Sequence, residues 1–413
     1  MTIANSVTGL KIVFVVATMK RGGIETFVLR IAGQLKLEGA EVQVWILSAT
    51  FDSDLLSAIG AVASVRILGP SLPMGAAFFP TAPEPLNKFD LIFATGRTTL
   101  LFVAKNNRRG ESLPVVTGVY HQHEYVPSRN VHRETVAAQL FAALPPENVL
   151  FCTDGCRKDH SIHFGHQFLD SEVMPLYLAP ARVDSSLRIR KNPHALNLLS
   201  IGRLAEFKTY NLYALDAIAA LKTKGLIVEW TVIGDGILLP KMIAKAEYLG
   251  ITGQVKFLGG MPYDALGGYY EKCDVYLGAG TTLLEAANCG CITVCSIDGE
   301  QSWNTSGFLH DREGDVHSDL VDSDIKTPLP VVLENVFQAD DDVRKKWSDA
   351  AKQKVSGYSL ANVAGAFLRL KLRVKFVALT LPRWFVTLDL SSIVSMMLAA
   401  VARGNSVRVD KVQ

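Results

Sequence analysis

The sequence predicts an α/β protein built from two doubly wound, Rossmann-like units, and three observations carry that prediction. Short apolar runs alternate with segments of helical periodicity along most of the chain. Many of those runs end in glycine or a basic residue, as strands of a parallel sheet do where they present ligands. The pattern also restarts: KIVFVVA (Lys11–Ala17) opens one series and LNLLSI (Leu196–Ile201) opens another. A chain of 413 residues is too long for one ordinary core. The expected divisions are 1–180 for a first domain, 181–357 for a second and 358–413 for a C-terminal tail.

Composition narrows the function classes. Apolar residues make up 49% of the chain and the net charge is only +2. Both values argue against disorder and against a nucleic-acid footprint. The cysteines Cys152, Cys156, Cys273, Cys289, Cys291 and Cys295 lie in or beside apolar strands without a paired CxxC spacing. They read as buried thiols in a reducing compartment. The start, MTIANSVTGLKIVFVV, lacks a basic region before its apolar run and reads as a first strand. No uncharged apolar run approaches the roughly 20 residues of a spanning helix. The expectation is a cytoplasmic protein.

In the first series, Lys11–Ala17 is followed by Gly22-Gly23 and a helix with Ile24, Phe27, Val28, Ile31 and Leu35 on one face, closed by Gly39. Further strands are predicted at Val42–Leu47, Val65–Leu68, Leu91–Ala94, Val115–Tyr120 and Val149–Thr153, with Ser71–Leu86 a loop. Val115–Tyr120 delivers His121-Gln122-His123-Glu124 to the carboxyl end of the sheet. Those side chains are either site residues or ordinary surface and core groups. His160, His163 and His166 recur every three residues, but no adjacent carboxylate or thiol completes a zinc set. The Asp-rich triplets Asp52–Asp54 and Asp322–Asp324 are poor metal sites, since neither closely follows an apolar strand. Prolines gather between Met174 and Pro193, the expected linker.

The second series carries the clearest chemistry. Leu196–Ile201 ends in Gly202-Arg203-Leu204, with Lys208 beyond. A helix (Leu212–Lys222) and the strand Val228–Ile233 lead to Gly234-Asp235-Gly236. A helix over Pro240–Leu249 and the strand Val255–Leu258 then lead to Gly259-Gly260. Arg203 and Lys208 suit a diphosphate, one as a planar fork and one as a mobile point charge, or are ordinary solvated surface. Cys273–Ser296 organises the whole: strand Asp274–Leu277, small-residue loop Gly278-Ala279-Gly280, a helix from Thr281-Thr282 to Gly290, and strand Cys291–Cys295. A small loop feeding a helix N-terminus admits phosphate to free N–H groups, and Glu285 one turn inside could reach a neighbouring hydroxyl. Thr282-x-x-Glu285 equally fits a capping box that needs no ligand. Beyond Asn304 the chain turns acidic and irregular. Leu333–Val355 then reads as one amphipathic helix. The tail alternates Arg369, Lys371, Arg373 and Lys375 with apolar residues, and Trp384 and Phe385 follow. It either packs back on the first domain or lies on an anionic membrane surface.

In order and spacing, LLSIGRLAEFK, TVIGDG, VKFLGG and DVYLGAGTTLLEAANCGCITV resemble the retaining glycosyltransferases of family 4, the glycosyl transferases group 1. The resemblance is strongest over Leu198–Phe308, weaker at MKRGGIETFVLRIAGQL, and lapses from Pro70 to Pro180 and beyond Asp311. It implies the GT-B fold, two facing doubly wound domains with an interdomain cleft. It implies a nucleotide-diphosphate sugar as donor and a saccharide or lipid-linked saccharide as acceptor, in bacterial surface polysaccharide synthesis at the inner face of the cytoplasmic membrane. No metal or other cofactor is expected. Arg203 and Lys208 would hold the diphosphate, helped by N–H groups of Thr281, Thr282 and Leu283. Glu285 would bind the ribose hydroxyls and backbone at Gly260-Met261 would meet the base, with Gly234 at the neighbouring strand end. Gly22 and Gly23 would approach from the first domain, and His121, or alternatively His123, would contact the donor sugar. The sequence departs from the family at Leu277, where the first of two spaced glutamates is usual. Alternatives are an inverting GT-B transferase, a sugar-nucleotide epimerase, or a catalytically silent sugar-nucleotide-binding partner.

Overall fold

The computed structural model describes residues 7–20, 22–69, 80–121, 124–126, 132–165, 168–174, 195–312, 326–358 and 360–382. His123, His166, Asp322–Asp324, Trp384, Phe385 and nearly all of the expected linker and acidic stretch lie outside them. The chain divides into two units, Met1–Pro175 with Leu360–Gln413, and Leu176–Ser359.

The first unit runs β1 (Lys11–Val16), α1 (Gly23–Leu37), β2 (Glu41–Ile46), α2 (Ser53–Val62), β3 (Ser64–Ile67), β4 (Leu91–Ala94), α3 (Arg97–Asn106), β5 (Val115–Val119), α4 (His132–Ala142), β6 (Val149–Phe151), α5 (Asp154–His163) and β7 (Glu172–Val173). Its sheet has the order β3-β2-β1-β4-β5-β6-β7, and every pairing is parallel. β4, β5 and all of β1 beyond Lys11 are buried because helices cover both faces. The strand order reverses between β1 and β4, so the carboxyl ends of those strands flank the switch point where such sheets take ligands.

In the second unit come β8 (Ala195–Ile201), α6 (Tyr210–Thr223), β9 (Ile227–Ile233), α7 (Leu239–Tyr248), β10 (Val255–Phe257), α8 (Gly267–Lys272), β11 (Val275–Gly278), α9 (Thr281–Asn288), β12 (Ile292–Ser296), β13 (Asn304–Phe308), β14 (Thr327–Pro328), α10 (Leu329–Gln338) and α11 (Asp341–Val355). The sheet order is β10-β9-β8-β11-β12-β13-β14, parallel up to β12 and antiparallel thereafter. The helix α12 (Leu360–Arg373) returns to the first unit.

Two expectations are corrected, and the remaining polar motifs are placed. Leu333–Val355 is not one helix: α10 stops at Gln338, and Asp340 caps α11 by accepting the Val343 N–H at 2.8 Å. The polar NTSGF segment is a strand, held by its ladder with β12 and by the Thr305 hydroxyl donating to Thr327 O at 3.0 Å. Asp52 caps α2, accepting from the N–H groups of Asp54 and Leu55, which accounts for the first Asp-rich triplet. His160 is a core residue, buried against Phe141 and Phe151 with Nδ1 at 2.8 Å from Cys156 O. No group of ligating side chains suited to a metal occurs among the described residues. All six cysteines are buried, and none is in a disulfide.

The described part of the tail, 360–382, packs on the first unit. Phe367 is fully buried, with ring centroids 5.6 Å from Phe14 and 5.5 Å from Phe93. Arg369 and Arg373 pair with Glu172, Lys375 pairs with Glu147, and Asn148 brackets the Lys375 backbone with two hydrogen bonds. Most of the basic alternation is therefore spent inside the unit, while Leu372 and Phe376 remain exposed. No described helix is long and apolar enough to cross a membrane. Phe367→Ala removes a ring at the centre of this core and should cost about 3–5 kcal/mol. Leu372→Ala should stay within about 0.5 kcal/mol. Urea unfolding of the intact chain checks both, and equal losses would place α12 outside the core.

Candidate active site

The second unit gathers its polar groups where β8, β9, β10 and β11 end. Glycine makes that convergence possible. Gly202, Gly234 and Gly236 have φ of 150°, 140° and 157°, values that disfavour any side chain. The loops are laced through backbone: Gly202 N–H donates to Ile233 O at 2.9 Å, Leu204 N–H to Asp235 O at 2.8 Å, and Gly234 N–H to Gly259 O at 2.8 Å. A Cβ at Gly234 would lie 1.9 Å from Gly202 O, and one at Gly236 would lie 2.2 Å from Leu204 O. The Asp235 carboxylate binds the Gly260 N–H at 2.7 Å, which draws the β10 turn into the same set.

Arg203 is exposed on this platform, and the half-buried Lys208 lays its Nζ 3.3 Å from the Cβ position of Gly202. Neither has a carboxylate at ion-pairing distance among the described residues. Two free positive charges beside interlaced glycine turns can take an anion without first breaking an internal pair. Asn211, in the first turn of α6, is buried and donates Nδ2 to Lys208 O at 3.1 Å. Its Oδ1 has no partner among the described residues.

The N-terminus of α9 faces the end of β8. Thr282 Oγ1 donates to Ile201 O at 2.9 Å, and the buried Tyr276 hydroxyl donates to the same oxygen at 3.0 Å. Burial pushes the Tyr276 hydroxyl well above its ordinary pKa, so it stays a donor. Gly280, at φ 74°, precedes the helix and offers no side-chain cap. The capping box between Thr282 and Glu285 is therefore not formed. The Leu283 N–H is already used by Gly280 O at 3.2 Å and its side chain is in the core, leaving the N–H groups of Thr281 and Thr282 without intrahelical partners.

Glu285 is only 5% exposed, and its two oxygens accept from two tyrosines, Tyr263 Oη at 3.0 Å and Tyr270 Oη at 3.2 Å. Tyr270 is buried and belongs to the core. Tyr263 is 46% exposed, two residues after the partly buried Met261. The carboxylate is thus a hydroxyl acceptor at the mouth of the turn that carries Gly260. Leu277 faces the core, 1% exposed, with its carbonyl bound by Ser200 Oγ at 2.7 Å.

In the first unit, Gly22 is the N-cap of α1 with extended backbone, and the Cβ position of Gly23 is open. His121 is exposed just beyond β5, and Glu124 returns beneath it. Sequence reasoning had no role for Tyr263, Tyr270, Asn211 or Asp235. Asp235, between two glycines, was the one most open to discovery.

Residues 187–301 match the family model described as glycosyl transferases group 1. The matched segment lies within the second unit. Solved structures extend the likeness to most of the chain. HepE of Anabaena, in complex with UDP and glucose, aligns at TM-score 0.61 and 16% identity over 87% of this chain and 98% of its own. A glycosyltransferase of Rickettsia africae aligns at TM-score 0.59 and 12% identity over 88% and 98%. WaaG, a glycosyltransferase involved in lipopolysaccharide biosynthesis, aligns at TM-score 0.58 and 15% identity over 87% and 99%. No curated protein sequence matches the chain. The fold is GT-B. The matched segment contains Arg203, Lys208, Gly234, Gly260, Met261 and the α9 loop, so it coincides with the interlaced turns. Gly234→Ala drives a Cβ into backbone that cannot move away cheaply. It should cost more than about 2 kcal/mol, whereas Gly60→Ala, in open space on α2, should be stabilising by about 0.5–1 kcal/mol. Urea midpoints of the two variants check the contrast.

Proposed function

We propose that this chain is a glycosyltransferase that moves a sugar from a nucleotide-diphosphate sugar to a saccharide or lipid-linked saccharide in bacterial surface polysaccharide assembly. The observation that carries the reading is the pair Arg203 and Lys208, free of carboxylates among the described residues, on the strand-end platform beside the α9 N-terminus. A departing nucleoside diphosphate gains negative charge, and pre-placed cations and N–H donors stabilise it without reorganisation. In this reading Arg203 and Lys208 grip the diphosphate and the N–H groups of Thr281 and Thr282 assist. Glu285 exchanges part of its tyrosine shell for ribose hydroxyls, while backbone at Gly260-Met261 meets the base. Gly22, Gly23 and His121 serve the donor sugar from the first unit. The chemistry is of the retaining, metal-independent type. HepE was crystallised with UDP and glucose, and WaaG acts in lipopolysaccharide biosynthesis; both fit a donor and a pathway of this kind.

Leu277 favours a second reading, a protein that binds donor without turnover, because the family's usual glutamate position is here a core leucine. Release of free nucleoside diphosphate, with and without acceptor, separates the two and also exposes an inverting transferase or an epimerase. Attachment to anionic membrane would use the exposed Leu372 and Phe376. Absence of flotation with anionic liposomes at low salt removes that part.

The donor site is tested by calorimetry with the nucleoside diphosphate that most raises the melting temperature. Arg203→Ala and Lys208→Ala should each weaken it about tenfold or more and leave the bare nucleoside unchanged. Glu285→Gln should weaken nucleoside and diphosphate alike, since a charged acceptor of hydroxyls is lost, by about 1.5–3 kcal/mol. Unchanged diphosphate affinity in both basic variants would remove the phosphate platform and the reading with it.

A further inference from the structure

We infer that Glu124 is a positioning residue for the reaction, its carboxylate holding the turn that presents His121. The inference rests on the reading of His121 as a donor-sugar contact. β5 ends at Val119, and the next N–H groups leave the ladder. Both are taken up by one side chain: the Tyr120 N–H donates to Glu124 Oε2 at 2.7 Å, and the His121 N–H donates to the same carboxylate. The Glu124 N–H in turn donates to His121 O at 3.0 Å. Both backbone polar groups of His121 are therefore bound by a single residue, while its side chain stays exposed.

The carboxylate has a prepared seat. Gly96, after β4, is the N-cap of α3 with φ 151°, and a Cβ there would lie 2.5 Å from Glu124 Oε1. Only glycine leaves that space, and the helix N-terminus beside it favours an anion. The charged and titratable groups facing this seat are Arg97 from α3, Tyr120, His121 and Tyr125 from its own segment, and, across Tyr120, Glu25 from α1 and Cys152 after β6. Arg97 is shared with Glu134 at 3.5 Å, so no cation belongs to Glu124 alone. The Tyr120 hydroxyl beside it is buried without a partner among the described residues. This is a costly arrangement for a mere loop. Burial raises the Glu124 carboxyl to about 7 from an ordinary 4.5. The folded protein then holds a proton that the unfolded chain has released, so stability falls as pH rises between those values and levels off above them.

A residue kept only for the fold would gain from losing that charge. Glu124→Gln leaves one oxygen in place of two and removes the charge that both N–H groups bind, so the hold on the turn is weakened. The variant should melt higher than wild type at pH 8 and lose the stability slope between pH 5 and 7. With the nucleotide sugar that most stabilises the wild-type protein, kcat should fall about tenfold or more while KM changes less than twofold, since a misplaced contact acts on turnover. The wild-type acid limb of kcat near pH 7 should disappear. Selective ¹⁵N-tyrosine labelling gives a readout without turnover: the Tyr120 amide signal, assigned by its absence in Tyr120→Phe, should shift with pH near 7 in wild type and not in Glu124→Gln. Wild-type kcat and an unchanged amide titration in Glu124→Gln would overturn the inference. If His121→Ala is inactive and Glu124→Gln normal, Glu124 is dismissed while the reading of His121 stands. If His121→Ala is fully active, that reading fails and the inference falls with it.

Discussion

Three turns of the second unit share one set of backbone hydrogen bonds, and the site is hung from them. Because Gly202, Gly234 and Gly259 bond through main chain, the ends of β8, β9 and β10 hold one geometry whatever the neighbouring side chains do. The basic residues then need no scaffold of their own. Lys208 is laid over Gly202, and Arg203 projects from a turn whose successor, Leu204, is pinned to Asp235. α9 joins through Ile201, whose carbonyl takes two hydroxyls, so the helix N-terminus is fixed to the same strand end.

Much of this was legible in the chain because it rests on composition that only one structure satisfies. Buried parallel strands must be apolar, and close backbone approach must be glycine, so the strands, the turns and the position of Arg203 and Lys208 could be read. What stayed hidden depends on neighbours far apart in sequence. Thr282-x-x-Glu285 is a sound local cap, yet the threonine is drawn off by Ile201 and the glutamate by Tyr263 and Tyr270. NTSGF has weak strand propensity, and its ladder with β12 decides its form. The break before Asp341 was readable in principle, since an aspartate followed by two more acidic residues is a start signal inside an apparently continuous helix. Glu124 was visible beside the histidines, but its hold on the Tyr120 N–H and the space left at Gly96 were not.

The two units use one local device with different endings. Tyr120 folds over Gly118 and Tyr276 over Gly278, each ring occupying space that a Cβ two residues away would fill. In the second unit the tyrosine hydroxyl is absorbed by the backbone of Ile201, which makes it a strut. In the first, the hydroxyl finds no such partner among the described residues, beside a carboxyl poised near neutrality. The same packing solution thus gives a settled polar core in one sheet and a titratable one in the other.

The return of α12 to the first unit has a consequence for synthesis. Phe14 and Phe93 emerge early, but the ring that completes their stack, Phe367, is translated only after the whole second unit. Domains ordinarily fold in the order they leave the ribosome. Here the unit made first is finished last, and its open apolar face must wait through the time needed to synthesise the other. A nascent chain of this protein therefore depends on whatever shields that face in the interval, and a stall between the two segments would leave a folded second unit tethered to an incomplete first one.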